Sequence, residues 1–475
     1  MEKQEHKVKS RRFRVNETVV AALLLIALGG FAWWGFTRAG VTVQGVAAAA
    51  VSLGMFALSF VLLVPSAVRF FRGEAVFSAP ELGTRSQSKT KAGSVVMMIF
   101  FVLAARAALI VLAYAFGYIF KDLHRSLLST LESIWFRPGT EAARLFMIAE
   151  QGYSADTSLI AFPPLYPFLI NVLNLLTHSS FASAFILSAA CTVAAAPVIN
   201  ELALCDMGIR SARNAVVFAF ALPAAIFFAA PGAEILFLVL SASALLSIRK
   251  NRFWLGAVFG ALASLTKNIG ILMIVPFAAE AVAYAARLRP VSDKKVRAKR
   301  AVKLVLSGVV LLLGSIGFVV MNRVIAGDWF AFISPAAEGF SISPFFGAIA
   351  EKTETLVSAF SHSDRALLGT LVPNMIYVFG ALTVFIFSAR SLRTSYSLYL
   401  AAFIAVVLGF AGFASAARLI TVCIALPIAL AHLCESRDDG VALGRARIKA
   451  AIVTTVLVFG QISFLLMYVL GYNIC

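Results

Sequence analysis

The chain has 475 residues, 61% of them hydrophobic and 13% charged, about half the charged share usual in soluble domains, and this excludes a soluble globular protein. Apolar runs of about 17–25 residues follow one another along it, the length that crosses a bilayer as a helix, so the fold class is an all-α polytopic transmembrane bundle. The net charge of +18 does not mark a nucleic-acid binder, because the basic residues sit in short clusters between apolar runs, where membrane orientation accounts for them.

The N-terminal segment is basic and precedes a full-length apolar run at 18–37, the pattern of a retained first helix with a cytosolic N-terminus and not of a cleaved signal peptide. Seven basic clusters, at 3–14, 69–91, 210–213, 249–252, 287–303, 390–393 and 437–449, are assigned to the cytoplasmic side. Runs at 18–37 and 42–67 then form a hairpin, and a third helix at 92–118 delivers residues 119–180 to the outer side. Arg106 lies within that third helix, where a lone charge costs about 3 kcal/mol unless it is paired or hydrated. Both a functional role and structural pairing fit it.

Counting both 162–178 and 181–204 as spanning would place Arg210 and Arg213 outside and invert every later cluster. A non-spanning 162–178 restores them all. Pro167, Asn171, Asn174 and His178 recur at spacings of four, three and four, one polar face of an outer juxtamembrane helix. Helices at 181–204, 214–230, 233–248, 253–266, 269–286 and 302–325 follow, with outer turns at Pro231–Glu234 and Thr266–Asn268. A second outer loop covers 326–370, and helices at 371–388, 395–413, 418–434 and 448–470 bring the expected spans to about thirteen. The organisation is thus a basic N-terminus and added hairpin (1–91), a core (92–435), and a cytosolic loop with a last helix (436–475).

The outer regions 119–160 and 326–370 hold ten acidic residues against six basic ones. Only there is enough irregular polar chain to build a site. A carboxylate in such a place serves as general base towards a hydroxyl, and a lysine or arginine at the same level holds an anionic leaving group such as phosphate. Lys267 and Arg418 are the candidate cations. Cys191, Cys205, Cys423, Cys434 and Cys475 have no CxxC or paired spacing, so neither a disulfide framework nor a metal site is expected.

Six segments carry a family resemblance. They read Ile148-Ala149-Glu150-Gln151-Gly152-Tyr153, Phe162-Pro163-Pro164-Leu165-Tyr166-Pro167, Ala230-Pro231-Gly232-Ala233-Glu234-Ile235-Leu236-Phe237, and Ser264-Leu265-Thr266-Lys267-Asn268-Ile269-Gly270. Gly327-Asp328 with Phe330-Ala331-Phe332, and Ala416-Ala417-Arg418-Leu419, complete the set. In their order, and in their shared place at the expected outer face, they give the core a resemblance to the PIG-V-type mannosyltransferases and their bacterial relatives, of the GT-C class of membrane glycosyltransferases. The resemblance implies transfer of a hexose, mannose by analogy, from a polyprenyl-phosphate donor to a lipid, glycan or protein hydroxyl at the outer face. Glu141 falls at the family's catalytic aspartate and would take the acceptor proton, with Glu234 as a second carboxylate. Lys267, Arg418 and Tyr166 would face the donor phosphate, while Arg144, Glu150, Tyr153, Asp156 and Asp328 are further loop candidates. No metal cluster is evident in the sequence, so no cofactor is expected, with a divalent ion on a carboxylate pair as the alternative.

The sequence departs from the family at Glu141 for Asp, Thr140 for Trp, Arg144-Leu145 for Trp-Tyr, Lys267 for Arg and Leu419 for Tyr. These changes fit an altered substrate, and they equally fit a catalytically silent relative. A lipid or solute transporter is the other class to weigh; it calls for ionisable groups along a mid-membrane path. No retrieval signal ends the chain, and the sequon Asn16-Glu17-Thr18 lies on the expected cytosolic side. A bacterial plasma membrane is therefore the expected location ahead of the endoplasmic reticulum.

Overall fold

A computed structural model describes residues 92–153, 157–287, 293–333, 345–389, 391–410, 415–435 and 441–472. The expected hairpin at 18–67 lies outside them, as do Asp156 and Cys475. Among the described residues the protein is all helical, with no strand. Six helices are long and apolar enough to cross a membrane, at Gly93–Lys121, Ser180–Leu204, Asn268–Arg287, Lys294–Ala326, Ala366–Ser388 and Gly444–Leu470. A bent pair, Ile209–Ala221 with Pro223–Ala229, makes a seventh if it is one span.

Helix α1 (Ala92–Lys121) leads to two short helices, α2 (Leu127–Trp135) and α3 (Glu141–Gln151). Helix α3 starts where the sequence allows it: the Thr140 hydroxyl accepts from the amide of Ala143, and Glu141 puts its charge against the positive end of the helix dipole. Gly152, at φ 73°, ends it in a backbone region costly for other residues. After a 3-10 turn at Thr157–Ala161 comes α4 (Leu165–Thr177), whose 13 residues reach only about 20 Å, short of a bilayer core. Its Tyr166 and Ile170 are buried, while Phe168, Val172, Leu175 and Leu176 face outward. Asn171 donates to the carbonyl of Ala149 at 2.9 Å and ties α4 to α3.

Helix α5 (Ser180–Leu204) is followed by α6 (Ile209–Ala221), a 3-10 turn at Pro223–Ala225, and α7 (Ile226–Ala229). The sequence suggests one helix at 214–230, but the chain turns by 72° at the break before Pro223, a residue that has no amide hydrogen to continue the helix. Helix α8 (Ala233–Arg249) is apolar on all sides apart from its two ends and is buried along most of its length. Helix α9 (Phe253–Thr266) packs between α8 and α11 (Lys294–Ala326), the latter reached through a 3-10 turn at Asn268–Met273 and α10 (Ile274–Arg287). Small residues allow that packing, for a Cβ on Gly314 would lie 2.1 Å from the Ala261 carbonyl oxygen.

The expected loop 326–370 contains α12 (Phe345–Ser361), and the next helix, α13 (Arg365–Ser388), begins earlier than the apolar run because Asp364 caps it. Helix α14 (Thr394–Phe410) comes next. The helix expected at 418–434 is divided into α15 (Ala416–Thr421) and α16 (Ala425–Leu433). The last helix, α17 (Val441–Leu470), begins within the basic stretch rather than after it.

Arg106 is structurally paired. Its guanidinium donates to the Ser188 hydroxyl at 2.9 Å, the Thr192 hydroxyl at 3.1 Å and the Phe228 carbonyl at 2.9 Å, and lies 4.8 Å from the Phe185 ring centre. It pins α7, just past the bend, to α1 and α5, and neutral acceptors compensate its burial.

A four-charge cluster as the candidate functional site

Four residues from distant parts of the chain meet at one end of the bundle. Glu141 comes from the first turn of α3, Glu234 from the first turn of α8, Lys267 from the end of α9, and Arg418 from α15. Lys267 Nζ lies 2.9 Å from Glu141 Oε1 and 2.7 Å from Glu234 Oε1. Arg418 donates through Nε to Glu234 Oε1 at 2.6 Å, and its Nη1 is 3.3 Å from Glu141 Oε2. Two cations thus share two carboxylates, and the formal charges cancel.

The two carboxylates are not equivalent. The Glu234 side chain is 1% exposed and puts one oxygen on both cations, whereas Glu141 is 21% exposed and spans them with one oxygen each. Glu234 Oε2 has no hydrogen-bond partner in the protein. The backbone at Gly232 explains the close fit: a Cβ there would come within 2.3 Å of that oxygen.

Neighbouring segments fix the cations. The Arg418 guanidinium stacks 4.6 Å from the Phe227 ring centre. Its short helix is held to α13 by Asn374, which accepts from the Ala417 amide at 2.9 Å, and by a 2.5 Å contact between the Tyr377 and Thr421 hydroxyls. Beside Lys267, Asn268 donates to the Ala161 carbonyl at 3.0 Å and joins the turn to the segment before Phe162.

Tyr166 is fully buried, and its hydroxyl has no hydrogen-bond partner in the protein. Burial, and then the negative charge of Glu234, pushes its phenol well above the ordinary range, so it stays a neutral donor. The other sequence candidates lie apart from the charges. Tyr153 donates to the Phe162 carbonyl at 2.8 Å, with its phenol raised by burial, and braces the loop. Arg144 stacks loosely, 5.9 Å from the Phe162 ring centre. Glu150 is exposed, and Asp328 is exposed and caps its own turn by accepting from the Phe330 amide at 3.1 Å. Among the described residues no group of three or more His, Cys, Asp or Glu side chains is arranged to hold a metal ion.

A second charge cluster sits at the opposite end of α8, and the sequence reading does not anticipate it. Arg249 and Arg393 hold Asp206 and Glu280: Arg249 reaches Asp206 at 2.5 Å, and Arg393 grips Glu280 through two bonds of 2.6 and 2.8 Å. Ser395 donates to Glu280 at 2.6 Å and Tyr396 to Asp206 at 3.0 Å. Every carboxylate oxygen there is engaged, which is the pattern of a brace. An acid at position 280 within an apolar run was the one sequence signal for it.

Among the described residues the protein is helical, with six helices long and apolar enough to cross a membrane, and its two charge clusters lie at opposite ends of α8. Compared with protein-family models, with curated proteins and with solved structures, the chain matches none.

Proposed function

We propose that the protein is a divergent relative of the PIG-V-type GT-C glycosyltransferases, with about thirteen spans, which moves a hexose from a polyprenyl-phosphate donor to a hydroxyl acceptor at the outer face of a plasma membrane. One observation carries the reading. Glu234, Lys267 and Arg418 belong to separate segments that resemble the family's motifs, Glu141 falls where counting back from Tyr153 puts the family's aspartate, and the four converge within ion-pair distance. Lys267 and Arg418 would hold the phosphate that leaves, Tyr166 would donate to it, and Glu141 would accept the proton of the attacking hydroxyl. As the acceptor oxygen bonds to the sugar's anomeric carbon, the bond from that carbon to the phosphate oxygen breaks, and the polyprenyl phosphate takes the electron pair. Glu234 would keep the two cations together while the phosphate comes and goes.

A second reading, a catalytically silent relative, is favoured by the engagement of both Glu141 oxygens with cations and by Thr140 and Arg144 standing where the family has aromatic residues. The test is sugar transfer by purified protein in proteoliposomes with radiolabelled polyprenyl-phosphate mannose, beside Glu141→Gln. Transfer that falls by about 100-fold or more in the variant supports the enzyme reading, in line with the loss of a general base. No transfer to any lipid, glycan or peptide acceptor supports the silent one.

A further inference from the structure

We infer that Glu141 is the protein's own competitor for the two-cation seat: a phosphate-bearing ligand binds by displacing the Glu141 carboxylate from Lys267 and Arg418, and the same exchange frees that carboxylate to act as base. The inference rests on the reading of those cations as a phosphate seat and adds the order of events at it.

Three features lead there. First, the two carboxylates hold the cations unequally. Glu234 is 1% exposed and binds both through one oxygen at 2.6 and 2.7 Å, so releasing it would strand a charge in the interior. Glu141 is 21% exposed, its contacts are longer at 2.9 and 3.3 Å, and it can return to water. It is the one that leaves. Second, Glu141 spans the cations with one oxygen on each, the same bridging bite that two oxygens of a phosphate present. Third, a phosphodiester carries one negative charge, so exchanging it for a carboxylate keeps the cluster's charge balance, and a phosphomonoester such as geranyl phosphate brings about one charge more to the same seat. Glu141 opens α3, directly after the Thr140 cap, and rotation of its side chain suffices to vacate the cations with the helix in place.

The exchange resolves a conflict within the site. A carboxylate clamped by two cations has both oxygens already engaged, with one lone-pair site left on each for an acceptor hydroxyl. Once phosphate takes the seat, both oxygens come free beside the reacting group. Proton acceptance would then depend on donor binding, and an acceptor hydroxyl would meet an unoccupied base only when a donor is present.

The experiment is calorimetric titration of the full-length protein in detergent with geranyl phosphate, inorganic phosphate and geraniol. Glu141→Gln keeps the side-chain shape and removes the competing charge, and should bind geranyl phosphate about tenfold more tightly than wild type, the order of magnitude for losing two partly exposed ion-pair contacts. Glu141→Asp, shorter by one methylene, should fall between them and gives a second measurement if the glutamine variant does not fold. Lys267→Gln should bind at least tenfold more weakly, and geraniol should not distinguish wild type from Glu141→Gln. A gain with inorganic phosphate as well places recognition in the phosphate alone, and a gain confined to geranyl phosphate adds the isoprenyl chain; both support displacement. Equal, weaker or absent binding by the Glu141 variants overturns it. Binding needs no turnover, so the two ideas fail separately. Tighter binding without any sugar transfer removes the transferase and keeps the competitor, while transfer lost in Glu141→Gln without tighter binding does the reverse.

Discussion

Glu234→Gln should be the most destabilising single change at the four-charge cluster. The substitution preserves shape and removes one charge, leaving Glu141 as the remaining carboxylate of the cluster beside Lys267 and Arg418, each 9% exposed. Removing one partner from a buried pair costs about 3–5 kcal/mol, because the remaining charge stays desolvated. Here the amide oxygen still accepts from both cations, and Glu141 still neutralises one of them, so a loss of about 2–4 kcal/mol is expected. The same change at Glu141, 21% exposed, should cost about 1 kcal/mol or less after screening by water. Unfolding in mixed micelles with increasing dodecyl sulfate, followed by tryptophan fluorescence, to which the buried Trp135 contributes, measures both. The double variant Glu234→Gln with Lys267→Met should recover part of the loss by removing the stranded cation. If Glu234→Gln and Glu141→Gln unfold at the same detergent fraction, the distinction between a buried anchor and an exchangeable carboxylate is wrong.

Gly232→Ala places a methyl group 2.3 Å from Glu234 Oε2, so the carboxylate must shift off the cations; stability in the same unfolding assay should fall by about 1–3 kcal/mol. Arg418→Lys keeps the charge but gives up the two-point grip and the stacking on Phe227, and geranyl phosphate binding should weaken by about tenfold or more. Arg106→Leu leaves the Ser188 and Thr192 hydroxyls and the Phe228 carbonyl without their shared donor and should cost about 2–4 kcal/mol without changing phosphate affinity in wild-type-like folded protein. In a background lacking the natural cysteines, an impermeant maleimide added from outside should label a cysteine at exposed position 178 and spare one at exposed position 210; the reverse pattern would reject the orientation assigned by charge.

The apolar runs and basic turns made the helical class legible, because bilayer length and charge asymmetry are local properties of sequence. Glu234 and Lys267 could be found as well, since each interrupts a hydrophobic stretch at a turn marked by proline or by a polar break. The pairing of Lys267 with Glu141 joins positions 126 residues apart and lay beyond any spacing rule. The brace at the other end of α8 was missed for the same reason: Tyr396 and Asp206 are separated by 190 positions, and Arg249 and Arg393 read as ordinary members of cytosolic basic clusters. Helix breaks were the remaining loss. Hydropathy runs unbroken through 418–434, yet the chain divides between Thr421 and Ala425, where Pro427 has no amide hydrogen to bond back to Cys423 and the contact of Asn374 with Ala417 holds the first piece apart.

Helix α8 ties these observations together as a rod with a fixed phase. Glu234 near its start and Arg249 at its end sit about 22 Å apart along the axis, each in a separate ionic knot and each suiting its end of the helix dipole. Deleting one residue from the middle would shorten the rod by about 1.5 Å and twist one end by about 100° relative to the other. One knot could be kept only by disengaging the other. Side chains along the rod can be exchanged among apolar types of similar volume, but its residue count cannot drift, and insertions or deletions should be tolerated in the turns around α8 long before they are tolerated within it.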